Sequence, residues 1–261
     1  MDLKELQRHW NAFGKIDPLH SIYRPLTKDK KWDLEEFFRL GQEEVDLVMK
    51  YVESLGLPLK RGNALDFGCG VGRLTQALAS YFDKVTGIDI APSMIELANQ
   101  YNRFPGKCTY DLNETDHLGI FPASRFDFIY SNITLQHMEP RYVKNYLKEF
   151  LRILTPQGLL IFQEPSEKKI RSEEKRPGRR LKRAFRPLVP SAILNAYYRF
   201  RGISIEPPPV SDGPQMETYA IPREELIPFL ETSGGEVIEA IENNHTGPHW
   251  MSFQYCVRKH A

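Results

Sequence analysis

The stretch Leu65-Asp66-Phe67-Gly68-Cys69-Gly70-Val71-Gly72 links a short apolar run to the helical pattern RLTQALASYF, and it constrains the fold more than any other segment. Three glycines between a buried strand and a helix predict a tight turn. Glycine there tolerates positive φ and lets the backbone approach a ligand with no Cβ in the way. Asp66 lies on the strand side of the first glycine, where a cationic α-amino group can be held directly or through water. A second acid, Asp89, ends the next apolar run, KVTGIDI. That is roughly 20 residues on, the distance at which a carboxylate meets ribose hydroxyls in dinucleotide folds. The dinucleotide fingerprint itself fails, because its third glycine falls at Arg73. A ligand with a ribose and an amino-acid cation, but no pyrophosphate, fits these residues better than NAD.

Around this loop, apolar runs of strand length alternate with helical periodicity. After Pro92 comes a helix; KCTYDL and RFDFIYSN read as strands, PRYVKNYLKEFLRILTP as a helix stopped by Pro156, and GLLIFQEP as a buried strand. This alternation predicts a parallel sheet covered by helices on both faces. The 261 residues suit one decorated α/β domain: residues 1–60 as a helical lid, 61–165 and 216–261 as the core, and 166–215 as an insertion. Cys69, Cys108 and Cys256 show no CxxC or Cys/His ligand spacing, so neither a disulfide framework nor a metal site is expected. The absence of a signal-peptide pattern and of long apolar windows leads to the expectation of a soluble, cytoplasmic protein.

LDFGCGVGRLT, GIDIAPSMIELAN, FDFIYSNITLQHM and LRILTPQGLLIFQEP resemble the successive motifs of class I, Rossmann-like S-adenosylmethionine-dependent methyltransferases. The resemblance implies a seven-stranded, mostly parallel sheet whose last strand is antiparallel, with S-adenosyl-L-methionine as cofactor and S-adenosyl-L-homocysteine as product. On that match Asp66, Gly68, Cys69 and Gly70 lie at the methionine portion, and Gly72 opens the following helix. Asp89 binds the ribose, and Ile90 and Met94 flank the adenine. Asp111, Leu112 and Asn113 all stand as candidates at the adenine amino group, and Ser131 and Asn132 face the sulfonium. WDLEEFFRLG resembles a helix that acts as a lid in one subgroup, with Trp32, Phe38 and Gly41 near the cofactor; ordinary packing against the sheet is the alternative.

For the acceptor, His137 follows the fourth strand and is the candidate base or orienting group, since a hydroxyl acceptor must lose a proton. His245 and His249 lie in the loop before the last strand and are further candidates for that role. Glu164 ends the fifth strand, where it can face the acceptor or solvent. The fourth-strand exit, Ser-Asn-Ile-Thr, lacks the Asn/Asp-Pro-Pro-Tyr pattern of amide or base-nitrogen methylation, and no Pro-Cys or Thr-Cys follows it. Nucleic acid is therefore not the expected partner. The expectation is a small-molecule or glycan acceptor, methylated on oxygen. The rivals are an RNA or protein methyltransferase and a catalytically silent cofactor-binding subunit. Lys168–Arg186 holds ten Lys/Arg against two acids in a chain of net charge +1. It reads either as a solvated segment or as a contact for phosphate, anionic lipid at a membrane periphery, or RNA.

Overall fold

The computed structural model describes residues 1–23, 32–169 and 213–260. Seven strands form one sheet: β1 (Asn63–Phe67), β2 (Lys84–Asp89), β3 (Cys108–Leu112), β4 (Phe126–Ser131), β5 (Leu154–Lys168), β6 (Gly235–Asn243) and β7 (Trp250–Lys259), in the order β3-β2-β1-β4-β5-β7-β6. Strands β1 to β5 pair in parallel, and β7 runs antiparallel to both β5 and β6. The last strand is thus antiparallel, as the sequence motifs imply. The order reverses direction at β1 and β4, so a crevice opens beyond the carboxyl ends of these two strands, the usual ligand position in such sheets.

The central strands are buried on both faces, which is why they read as continuous apolar runs rather than alternating ones. Leu65, Phe67, Ile129, Leu160 and Phe162 pack on one side, under α6 (Pro140–Ile153) and α7 (Arg223–Thr232). Ala64, Phe128, Tyr130, Leu159 and Ile161 pack on the other, under α3 (Leu34–Ser54) and α4 (Arg73–Leu78). Helix α3 contributes Val45, Val48, Met49 and Val52 to that layer, one helical stripe.

Helices α1 (Leu3–Ile16) and α2 (Pro18–Ile22) lie against the carboxyl edge of the sheet, α1 beside α5 (Pro92–Gln100). The Ser93 amide donates to Asn11 Oδ1 at 3.0 Å, and Gln7 Nε2 donates to the Ile90 carbonyl at 3.1 Å. One boundary differs from expectation. Helix α6 ends at Ile153, and Pro156 already lies within β5, because Leu154 turns to extended backbone and pairs with Phe126. The basic run beyond Lys169, and with it the expected 166–215 insertion apart from its two ends, falls outside the described residues. Among the described residues, no helix is long and apolar enough to cross a membrane.

Candidate functional site

A cavity of about 1060 Å³ opens over the carboxyl ends of β1, β2 and β4. Its floor is the glycine turn. Gly68, Gly70 and Gly72 have φ of +77°, +52° and +84°, a region that penalises any side chain. Space forbids one as well: a Cβ at Gly68 would lie 2.1 Å from Thr134 Cγ2, and one at Gly70 would lie 2.6 Å from Ile22 Cδ1. Asp89 fastens this turn to the next strand. Its Oδ2 accepts from the Gly70 amide and its Oδ1 from the Ala91 amide, each at 2.9 Å. Burial pushes the Asp89 carboxyl above its usual range, against the pull of the Ala91, Gly70 and Ile90 amides.

Of the residues singled out from sequence, Gly68, Cys69, Gly70, Asp89, Ile90, Met94, Asn113, Asn132, His137 and His245 line this cavity. Of the three candidates at the end of β3, Asn113 lines the cavity, and its Nδ2 donates to the Thr115 carbonyl at 3.0 Å. Asp111 and Leu112 are exposed on the strand and away from the cavity wall. Asp66 is also off the wall. Leu65 and Phe67 face the α6 layer, so Asp66 points to the opposite side, where Thr75 donates to its Oδ2 at 2.6 Å. Ser131 is buried below the wall and donates to the Phe67 carbonyl at 3.1 Å, and Gly72 is the N-cap of α4.

Trp32, Phe38 and Gly41, the residues expected near the cofactor in a lid, do not line the cavity. Trp32 stacks edge-on to Phe37, and Phe38 meets Tyr101. Gly41 is where α3 crosses α4: a Cβ there would lie 2.5 Å from Arg73 Cγ. Ile22 of α2 and Trp10 of α1 cover the cavity instead. Glu164 is fully buried with neither oxygen hydrogen-bonded, so burial holds its carboxyl well above the usual range; it is not on the cavity wall. His249 is exposed and also off the wall.

His137 is buried in the 3-10 turn Leu135–His137, its ring 5.3 Å from that of Trp10. Its Nδ1 lies 2.7 Å from the Glu217 carbonyl and therefore carries the proton. Nε2 is then the acceptor, and the Gln136 amide occupies it at 3.2 Å. Burial lowers the His137 pKa to about 4, which makes it a weak base.

Stability should record these burials. Desolvation raises the Asp66 pKa to about 7, so folding binds a proton between its ordinary value of 3.8 and 7, and stability falls as pH rises through that window. His137 does the reverse between about 4 and its ordinary 6.5: the unfolded state binds the extra proton, and stability is lost as pH falls. Each contributes a slope of about 1.4 kcal/mol per pH unit, opposite in sign. In the wild type they offset one another from about pH 4 to 6.5. His137→Asn should leave the Asp66 slope exposed, seen in urea titrations as stability declining from about pH 4.5 to 6.5 relative to wild type. A pH dependence identical to wild type would contradict this.

A second group of polar residues was not legible in the sequence. Glu44 of α3 reaches the cavity, and its Oε2 accepts from Arg73 Nη2 at 2.8 Å. Its Oε1 accepts from Asn132 Nδ2 at 2.7 Å and from the Tyr130 hydroxyl at 3.1 Å. Asn132 Oδ1 in turn lies 3.1 Å from His245 Nδ1, in the β6–β7 loop. The β4 exit that presents Asn132 is strained. Ile133 has φ of +57°, a genuine outlier for a β-branched side chain, and its amide is held by Gln163 Oε1 at 3.2 Å. Among the described residues, no group of three or more His, Cys, Asp or Glu is placed to hold a metal ion.

Residues 65–162 match the family described as a methyltransferase domain. The ubiquinone biosynthesis O-methyltransferase of Coxiella burnetii is 30% identical over 158 residues, covering 60% of this chain and 56% of that protein. Thiocyanate methyltransferase 1 of Arabidopsis thaliana is 32% identical over 145 residues, 55% of this chain and 63% of that one. The chain thus spans little more than half the length of the curated relatives it matches. Among solved structures, magnesium protoporphyrin IX methyltransferase from Synechocystis PCC 6803, with bound S-adenosylhomocysteine, superimposes with a TM-score of 0.61 at 17% identity, covering 99% of this chain and 100% of that one. The cyclase SpnF reaches the same TM-score at 15% identity, covering 98% and 95%. Residues 65–162 thus match a methyltransferase domain, and the chain has the fold of the class I S-adenosylmethionine-dependent methyltransferases.

Proposed function

We propose that this protein transfers a methyl group from S-adenosylmethionine to an oxygen of a small-molecule acceptor. The observation that carries the reading is one continuous cavity with two kinds of wall. One group of lining residues is Gly68 to Gly70, Asp89, Ile90, Met94 and Asn113; the other is Trp10, Asn132, His137, Met216 and the loop from Asn244 to Pro248. Its volume suits a cofactor together with a small acceptor, and its partly apolar lining suits organic molecules rather than a polymer backbone.

The first group fits the cofactor. Gly68 and Gly70 form a cradle that a Cβ would fill, and the Asp89 carboxylate sits at its rim for the ribose hydroxyls. Ile90 and Met94 supply apolar surface for the adenine. When bound, the cofactor supplies a methyl group on a sulfonium, open to in-line displacement. The protein's main task is then alignment, with reacting atoms roughly 3–3.5 Å apart. His137, a weak base with both ring nitrogens already engaged, lines the cavity without serving as the base.

The relatives named for ubiquinone and thiocyanate chemistry support a small acceptor. The test is incubation with methyl-labelled S-adenosylmethionine and panels of phenols, carboxylic acids, thiols and bulk RNA. Label transferred to a hydroxyl oxygen supports the reading. Label on RNA alone, or on no acceptor, contradicts it.

A further inference from the structure

We propose that His245 removes the acceptor's proton, set in its working tautomer by Asn132 and Glu44. The proposal rests on the reading of hydroxyl methylation above and adds the base that such a reaction needs. Its three members come from α3, the β4 exit and the β6–β7 loop, and all of them line the cavity.

Hydrogen-bond polarity fixes the direction of the chain. Glu44 is paired with Arg73 through Oε2, and a carboxylate only accepts, so the Asn132 group 2.7 Å from Oε1 is its Nδ2. Asn132 Oδ1 is therefore the end turned to His245. An amide oxygen accepts, so His245 Nδ1, 3.1 Å away, carries the proton. His245 Nε2 is left with its lone pair and without a hydrogen-bond partner at that atom among the described residues. Asparagine orients the histidine of some cysteine proteases in the same manner. The contrast with His137 is direct: there Nε2 is capped by Gln136 and the ring is buried. His245 is exposed at the cavity mouth, where a proton can leave to water. Its backbone is set by its own amide, which donates to Asn243 Oδ1 at 3.2 Å. The charged or titratable groups facing this corner are Glu43 and Glu44 of α3, Arg73 of α4, Tyr130 of β4 and His137.

In the step, the acceptor O–H bond breaks and its proton passes to His245 Nε2. The oxygen pair forms the new bond to the methyl carbon, and the carbon–sulfur pair leaves on sulfur. The imidazolium then gives its proton to solvent, which returns the starting state.

The test uses the full chain with phenol and 4-nitrophenol as acceptors. Phenol is protonated at about pH 8, like a tyrosine side chain, and needs a base; 4-nitrophenol is already largely ionised there. His245→Ala should lower kcat with phenol by about 10²–10⁴-fold, far more than with 4-nitrophenol, and added imidazole should restore part of the loss. Equal losses with the two acceptors, or none, would overturn the proposal. A second readout needs no acceptor: nitrogen NMR of the complex with S-adenosylhomocysteine should show His245 protonated at Nδ1, and Asn132→Ala should abolish that preference. The opposite tautomer, or one unmoved by the Asn132 change, overturns the relay. If the wild type methylates neither phenol, the hydroxyl reading fails on its own, and the tautomer decides the relay.

Discussion

Asp89→Ala should weaken S-adenosylhomocysteine binding by about 10²–10⁴-fold while leaving the chain folded. The carboxylate does two things at once. It holds the Gly70 and Ala91 amides at 2.9 Å, which fixes the glycine turn, and it borders the cavity where the ribose diol would lie. Hydrogen bonds to a charged group contribute about 1.5–3 kcal/mol each, so two ribose bonds give roughly 3–6 kcal/mol. Asp89→Asn should fall between the two, because its Nδ2 would meet a backbone donor at Gly70 or Ala91. Titration calorimetry measures the affinity, and far-ultraviolet circular dichroism checks the fold. Affinity equal to wild type would remove Asp89 from the binding site.

Arg73→Met should cost about 3–5 kcal/mol of stability, because it strands Glu44 without its cation. Arg73 has a 5% exposed side chain and Glu44 a 19% exposed one, so solvent screens the pair little. The guanidinium also lies 5.2 Å from the Tyr23 ring centroid and 5.7 Å from that of Phe37, contacts that a methionine keeps only as packing. For a chain of this size the loss corresponds to a fall in melting temperature on the order of 10 °C. The double variant Arg73→Met, Glu44→Gln should recover part of it, since no buried charge is then unpaired. A single variant that melts like the wild type would show that Arg73 is not holding Glu44 in place.

The sheet was legible because its strands are short apolar runs punctuated by glycine, proline and acidic turn residues. The glycine turn was legible for a related reason: backbone geometry demands glycine at those positions. Asp66 is misplaced when its distance from the glycine is weighed and strand parity is not. Leu65 and Phe67 flank it, and both face the α6 layer, so Asp66 faces the other way. Glu44 and Arg73 give no signal in the sequence at all. A glutamate on an amphipathic helix reads as solvent-facing, and Arg73 reads only as the residue that breaks the dinucleotide fingerprint. Only the crossing at Gly41 shows that α3 makes room for Arg73 and turns Glu44 to the cavity. His245 is one of two loop histidines with equal claims in the sequence, separated only when folding brings it to Asn132.

That the loop from Gly68 to Gly70, with Asp89, holds an adenosyl amino acid is the claim on which the rest depends. Calorimetric titration of the wild-type chain with S-adenosylhomocysteine, and separately with NADH, tests it most directly. One S-adenosylhomocysteine bound per chain and no heat of binding from NADH are the expected results. Binding of NADH without S-adenosylhomocysteine, or of neither, would contradict the claim.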